Sequence, residues 1–308
     1  MATTAPIVLL AFNRPALTAR VWERIRAARP TVVLAVADGP RPGHQGDEEK
    51  CREVRRIVEQ GVDWECRLLT NFAPANLGLR ARVSSGLSWA FSEVEQAIIL
   101  EDDCVPDLTF FRYGTELLAR YAAEERVGVI TGDNFQPPTF ACEASYYFSR
   151  YPHCWGWASW RRAWQCYDDS MALWPKLKTE NWLATIFSNP GEARYWEEIF
   201  DRTHSRQANS WAYAWLFACW ANRLLTATPE KNLVANIGAG ADATHFLAHD
   251  PLVNDKSVHA LAFPLRHPAT LELNAAADAY TQAHIFGEAA PPPRPSLARR
   301  LRHLFGAP

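Results

Sequence analysis

The sequence predicts an α/β fold in which helices sandwich a mostly parallel sheet. Two observations predict it. Short apolar runs alternate with helical stretches through the first hundred residues, and strands separated by helices pair in parallel through right-handed crossovers. The runs are also near-continuously apolar rather than alternating, as strands covered on both faces are.

Residues 6–12 (PIVLLAF) form the first strand candidate. Pro15–Ala28 follows as a helix with proline in its first turn, where a missing N–H costs nothing. Residues 31–37 (TVVLAVA) make a second strand that ends at Asp38-Gly39, and Asp47–Gln60 is a charged helix. Residues 65–70 are a third strand and 79–94 an amphipathic helix. Residues 97–100 (AIIL) are a fourth strand, running directly into Glu101-Asp102-Asp103. Val127–Thr131 is a further strand, followed by an aromatic tract to Trp164, and 178–220 reads as two helices. Residues 232–245 are a glycine-rich loop carrying a histidine. The expected organisation is one domain over 1–250, divided into halves 1–125 and 126–250, then an extension over 251–288 and a terminal segment over 289–308.

Composition narrows the function classes. The chain has 308 residues, 48% of them hydrophobic, enough for a sizeable core. A net charge of −2 gives no electrostatic footprint for nucleic acid, so none is expected as a partner. The 13 tryptophans concentrate between Trp155 and Trp220. Their flat faces with one polar handle suit sugar rings, and a tryptophan-rich core is the competing reading. The 7 cysteines are odd in number and include no C-x-x-C pair, so neither a zinc site nor a disulfide framework is indicated. Reduced thiols in a cytoplasmic protein are the simplest reading. No apolar run approaches the ~20 residues that span a bilayer, and the N-terminus lacks the pattern of a signal peptide.

In open α/β sheets, ligands bind beyond the carboxyl ends of the strands. That rule gathers Asn13-Arg14, Asp38-Gly39, the stretch from Asn71 to Asn76, and Glu101 to Asp103, all polar and all following a strand. Three acids at the end of an apolar strand repel one another and lose hydration. A hard divalent cation, Mg²⁺ or Mn²⁺, resolves the conflict and commonly shares oxygen ligands with substrate phosphates. There it would neutralise a diphosphate leaving group. A solvated acidic turn is the alternative, and Asp107 is equally placed to cap the next helix. His245 could complete the cation's coordination from a second segment, although a lone histidine is more commonly a surface or core residue.

At these residues the chain resembles the GT-A glycosyltransferases, Rossmann-like nucleotide-sugar enzymes whose acidic "DXD" motif holds a metal. LEDDCVPDLTFF at 100–111 is similar to the Glu-Asp-Asp segment of the N-acetylglucosaminyltransferase that begins complex N-glycans. The order of motifs resembles bacterial family-2-like and hemolytic-protein-like glycosyltransferases. They are LLAFNRP at 9–15, NLG at 76–78, VSSGLSW at 83–89, HCWGWASWRRAW at 153–164 and NLVANIGAGADATH at 232–245. The resemblance covers roughly residues 5–250. It implies a nucleotide-sugar half over 1–125 and an aromatic, helix-rich acceptor half over 126–250. It also implies a role for each position. Asp103 and His245 would hold the metal, Asp102 the ribose or metal shell, and Glu101 the donor sugar. Phe12, Asn13 and Arg14 would line the nucleotide pocket, with Asp38 on the base and Arg80 or Arg82 on the base or diphosphate. Trp155 and Trp157 would shape the donor-sugar and acceptor pocket. The reaction implied is inverting transfer from a nucleotide-diphosphate sugar to a glycan or lipid-linked glycan.

One departure stands out. The family pattern near the acceptor reads Trp-Asp-Tyr-x-Trp, and here it is Trp211-Ala212-Tyr213-Ala214-Trp215. The acid of that region removes the acceptor hydroxyl proton, and alanine accepts no proton. An inactivated variant is the first explanation. Substitution by Asp168, Asp169 or Glu197 is the second, and a binding-only relative the third. A nucleotidyltransferase or pyrophosphorylase would carry a glycine-rich phosphate loop after the first strand, and the segment from Ala11 to Pro15 has no glycine. At the C-terminus, a stiff proline-rich linker precedes residues 296–305 (SLARRLRHLF), a basic amphipathic helix suited to peripheral contact with the inner face of a membrane or to packing on protein.

Overall fold

The computed structural model describes residues 4–238 and 256–287. Among these, eight strands form one sheet, β3-β2-β1-β4-β8-β6-β9-β7. They are β1 (Ile7–Ala11), β2 (Val32–Ala37), β3 (Arg67–Phe72), β4 (Gln96–Glu101), β6 (Val127–Thr131), β7 (Tyr146–Ser149), β8 (Trp157–Trp160) and β9 (Leu225–Pro229). Strands β1 to β4, β6 and β9 run parallel, and β7 and β8 run against them. The mostly parallel sheet sandwiched by helices is therefore present. Helices α1 (Pro15–Ala28) and α2 (Asp47–Gln60) have the bounds expected from sequence, and α3 (Leu79–Glu93) ends one residue short. The third strand lies two residues later than expected, because Trp64 anchors the preceding turn by donating to the Pro30 carbonyl at 2.7 Å.

Two cores cover the two faces. Val21, Trp22 and Ile25 of α1 pack on one side with Phe110, Tyr113 and Leu117 of α4 (Leu108–Arg120). On the other side Val83, Leu87 and Phe91 of α3 pack with Trp211 and Trp215 of α8 (Trp211–Ala221). Gly86 lets α3 lie against β2, since a Cβ there would sit 2.4 Å from Val36 Cγ1. A third cluster, built on Trp174, Trp196, Phe200 and Trp220, joins α6 (Trp174–Thr179), α7 (Pro190–His204) and α8. Most tryptophans of the second half are thus core.

The aromatic tract conceals a strand. β8 inserts between β4 and β6, with Trp157 opposite both Ile99 and Thr131, and runs directly into the short α5 (Arg161–Trp164). The two sequence halves therefore share one sheet. A two-stranded ribbon of β5 (Cys104–Pro106) and β10 (Val234–Asn236) then returns the chain to the end of β4. Residues 256–287 pack on the sheet: Leu261 and Leu265 enter the core, and Asp278 accepts from Ser149 at 2.6 Å and pairs with Arg150. All seven cysteines are free thiols. Among the described residues no helix is long and apolar enough to cross a membrane. The 296–305 segment lies outside them.

Candidate functional site

Parallel register brings the predicted points together. Leu10 of β1 sits opposite Glu101 of β4, and Ala11 opposite Ala37 of β2, so three strand ends open on one edge. A cavity of about 890 Å³ lies there. Phe12, Asn13 and Arg14 line it after β1, Asp38 after β2, Asn76 and Arg82 at the start of α3, and Glu101 and Asp102 at the end of β4.

The acids are not a helix cap. Asp107 does that work, accepting from the Thr109 N–H at 2.8 Å. Asp102 and Asp103 are buried, and Glu101 is partly exposed. Arg14 bridges Asp102 and Asp103, with Nη1 3.0 Å from Asp103 Oδ2. The Phe12 N–H also donates to Asp102 at 3.2 Å. Burial opposes charge on Arg14, yet Asp102 and Asp103 outweigh it and raise its pKa. Burial pushes Asp102 up to about 6, against the pull of Arg14. Burial, then Asp103 and Asp102, hold Glu101 well above the usual carboxylate range. One guanidinium thus faces three carboxylates, and the surplus negative charge is relieved by protons or by a cation. The Ile237 N–H donates to the Asp103 carbonyl at 2.9 Å, and Gly238 lies so close that a Cβ there would be 2.1 Å from Asp103 Oδ2. The glycine-rich loop therefore starts at the acid cluster. His245, further along it, lies outside the described residues.

The donor chemistry suits a hard cation: carboxylate oxygens with excess charge beside an open cavity. Among the described residues no three side-chain ligands converge on one point. A cation would take one or two carboxylates here and fill its shell from water and phosphate oxygens, as Mg²⁺ commonly does.

At the far end, Asp38 is buried and its four lone-pair positions are occupied. Oδ1 accepts from Gly39 N (2.8 Å) and Leu77 N (2.9 Å), and Oδ2 from Asn76 Nδ2 (3.0 Å) and Gly78 N (3.1 Å). A carboxylate offers about four such positions. Asp38 therefore shapes the turn into α3 while it lines the cavity. Arg82 is buried, donates to the Asn71 carbonyl and to Asn71 Oδ1 (2.9 Å), and keeps a buried Nε without a partner among the described residues. Asn13 donates to Asp47 at 2.8 Å. Arg41 pairs with Asp47 at 2.6 Å and lies over the Phe12 ring, 5.4 Å from its centroid.

Several expected positions fall elsewhere. Arg80 points away from the cavity to bind Asp169 (2.6 Å) and the carbonyls of Asp169 and Thr203. Residues two apart on a helix face opposite sides, so only one of Arg80 and Arg82 could enter the cavity. Trp157 is fully buried and packs on Trp211 and Trp215, making it core rather than pocket wall. Trp155 packs edge-on to Phe135, and its backbone N–H donates to Asp133 at 3.3 Å. Neither tryptophan lines this cavity. Ala212 is the second residue of α8, behind the Ser210 cap, and packs against the core. The alternative acids are engaged: Asp168 caps the turn at Ser170, Asp169 pairs with Arg80 and Arg206, and Glu197 pairs with Lys178 at 3.2 Å.

Asp133 was not anticipated. It follows β6 on the same sheet edge, 2% exposed, accepting from the Thr131 hydroxyl and Trp155 N–H. Burial pushes it up to about 7. The sequence signal is an acid close behind an apolar strand: Asp133 stands two residues after β6, where Asp38 directly follows β2 and Glu101 ends β4.

No family model and no curated protein matches the chain. Solved structures give distant matches. The galactosyltransferase LgtC in complex with donor and acceptor sugar analogs is 13% identical over 56% of this chain and 65% of that one, with a TM-score of 0.33. A cytidylyltransferase from Leptospira borgpetersenii is 12% identical over 53% of this chain and 63% of that one, at 0.32. The inositol-1-phosphate CTP transferase from T. maritima is 11% identical over 79% of this chain and 93% of that one, at 0.39. The chain spans less than two thirds of the first two.

Proposed function

We propose that the chain is a metal-dependent, inverting glycosyltransferase that binds a nucleotide-diphosphate sugar across the β1–β4 edge. The observation that carries this reading is a cavity lined by Glu101 and Asp102 of the acid cluster, by the aromatic ring of Phe12 and by Arg82, whose buried Nε has no partner among the described residues. Phe12 and Arg82 would receive the nucleoside and Arg14 the diphosphate. A Mn²⁺ or Mg²⁺ held at Asp103, with His245 as its proposed second ligand, would neutralise charge on the leaving group. Glu101, partly exposed beside it, would orient donor-sugar hydroxyls. The acceptor would be a glycan or lipid-linked glycan. Peripheral membrane attachment through residues 296–305 and a cytoplasmic location belong to the same proposal. A calorimetric panel of nucleotide sugars with and without Mn²⁺ tests it. Binding of a diphosphate sugar that disappears with chelator supports it, and equal binding without metal refutes it.

A specific observation favours a second reading, binding without turnover. Position 212 is alanine, and Asp168, Asp169 and Glu197 are each committed to ion pairs or turns. If the base is missing, Ala212→Asp raises transfer by about 10²–10⁴-fold, the usual contribution of a general base. No gain in a sugar-transfer assay means position 212 is not where the base belongs.

A further inference from the structure

We propose that Arg14 is a built-in counter-cation: it closes the acid cluster to a bare divalent ion until a diphosphate draws its guanidinium away, so that cation and diphosphate bind as a coupled pair. The inference rests on the donor-site reading above and concerns how that site loads.

The geometry carries it. Arg14 stands between β1 and α1, followed by Pro15, and its side chain makes no capping bond to the helix. Its fork instead spans two carboxylates, Asp102 Oδ1 and Asp103 Oδ2. Asp103 is the residue proposed to hold the metal, so guanidinium and cation compete for one oxygen. Asp102 stays fixed in either state, because the Phe12 N–H holds its other oxygen.

The exchange is also balanced. Arg14 lines the cavity and its side chain is 19% exposed, so it can turn toward a ligand without unpacking the core. A guanidinium fork matches phosphate as well as carboxylate. When it moves to a phosphate, the carboxylates it leaves are taken by the divalent ion. Ion pairs are exchanged rather than lost, and the surplus negative charge at Glu101–Asp103 falls. A bare cation gains less, since it must displace Arg14 into water. A diphosphate alone meets the uncompensated acids.

Mn²⁺ binding read by electron paramagnetic resonance, with and without inorganic pyrophosphate, tests this on wild type, Arg14→Gln and Arg14→Lys. Wild type is expected to bind Mn²⁺ alone weakly and to gain on the order of 10- to 100-fold with pyrophosphate, the usual range of site coupling. Arg14→Gln is expected to bind Mn²⁺ alone about tenfold tighter, with the pyrophosphate gain reduced by a similar factor. Arg14→Lys, which keeps the charge but loses the fork, falls between and serves if the Gln variant does not fold. Circular dichroism checks folding. Mn²⁺ affinity in either folded variant equal to or weaker than wild type overturns the proposal, as does an unchanged pyrophosphate gain or no Mn²⁺ binding by any form. The nucleotide-sugar panel reads the parent proposal separately. Mn²⁺-dependent donor binding together with an unaltered Arg14→Gln result removes only the counter-cation.

Discussion

Replacing Asp38 with alanine is expected to destabilise the protein by about 3–5 kcal/mol, the cost of leaving buried partners of a carboxylate unpaired. Four donors converge on this one side chain, three of them backbone N–H groups of residues 39, 77 and 78. They hold the turn that delivers Gly78, at φ +81°, to the start of α3. Gly39 has no room to rearrange, since a Cβ there would already lie 2.5 Å from the Ala75 backbone. Water from the cavity can reach some of the freed donors, which keeps the loss below the sum of four bonds. Asp38→Asn should cost less, because one oxygen remains, but its amide N–H₂ then faces donors. The measurement is urea unfolding at constant m-value. A loss under about 1 kcal/mol for the alanine variant would show that the turn stands without its carboxylate.

The same residue shows what was legible in the sequence. That Asp38 lies at the ligand edge followed from an apolar strand ending in a polar pair. What it does there did not follow, because the role depends on which backbone groups the turn presents. Arg80 and Arg82 illustrate the same limit: the helix was readable, but its rotation about its axis decides which arginine enters the cavity. The first four strands were found because they are uniformly apolar. β8 was hidden, since WASW reads as aromatic filler until β4 and β6 are placed on either side. Asp133 was not legible as a buried acid, because its burial depends on the Trp155 backbone that only the fold brings to it.

Asp133 gives the other large expected effect. Its carboxyl is buried, which raises its pKa to about 7, whereas in the unfolded chain it titrates near 3.9. Between those values the folded protein keeps a proton that the unfolded chain has released. The folded state then binds more protons, so this group's contribution to stability falls as pH rises from about 4 to 7 and levels off above. The total is a few kcal/mol. Asparagine has the same shape and no charge. Its amide can donate to the Thr131 hydroxyl oxygen, reversing the present bond, while its oxygen accepts from the Trp155 backbone N–H, so each neighbour keeps one hydrogen bond. Asp133→Asn should therefore match wild type near pH 4 and be more stable at pH 8 by about 1–3 kcal/mol, with the divergence centred between. Denaturation midpoints of both proteins across pH 4–8 provide the check. Parallel curves, with the variant lower throughout, would mean that the Asp133 charge is compensated in the folded state. Diverging curves would show that the chain holds a costly carboxylate on the same sheet edge as Glu101, where only a neutral one is needed for packing.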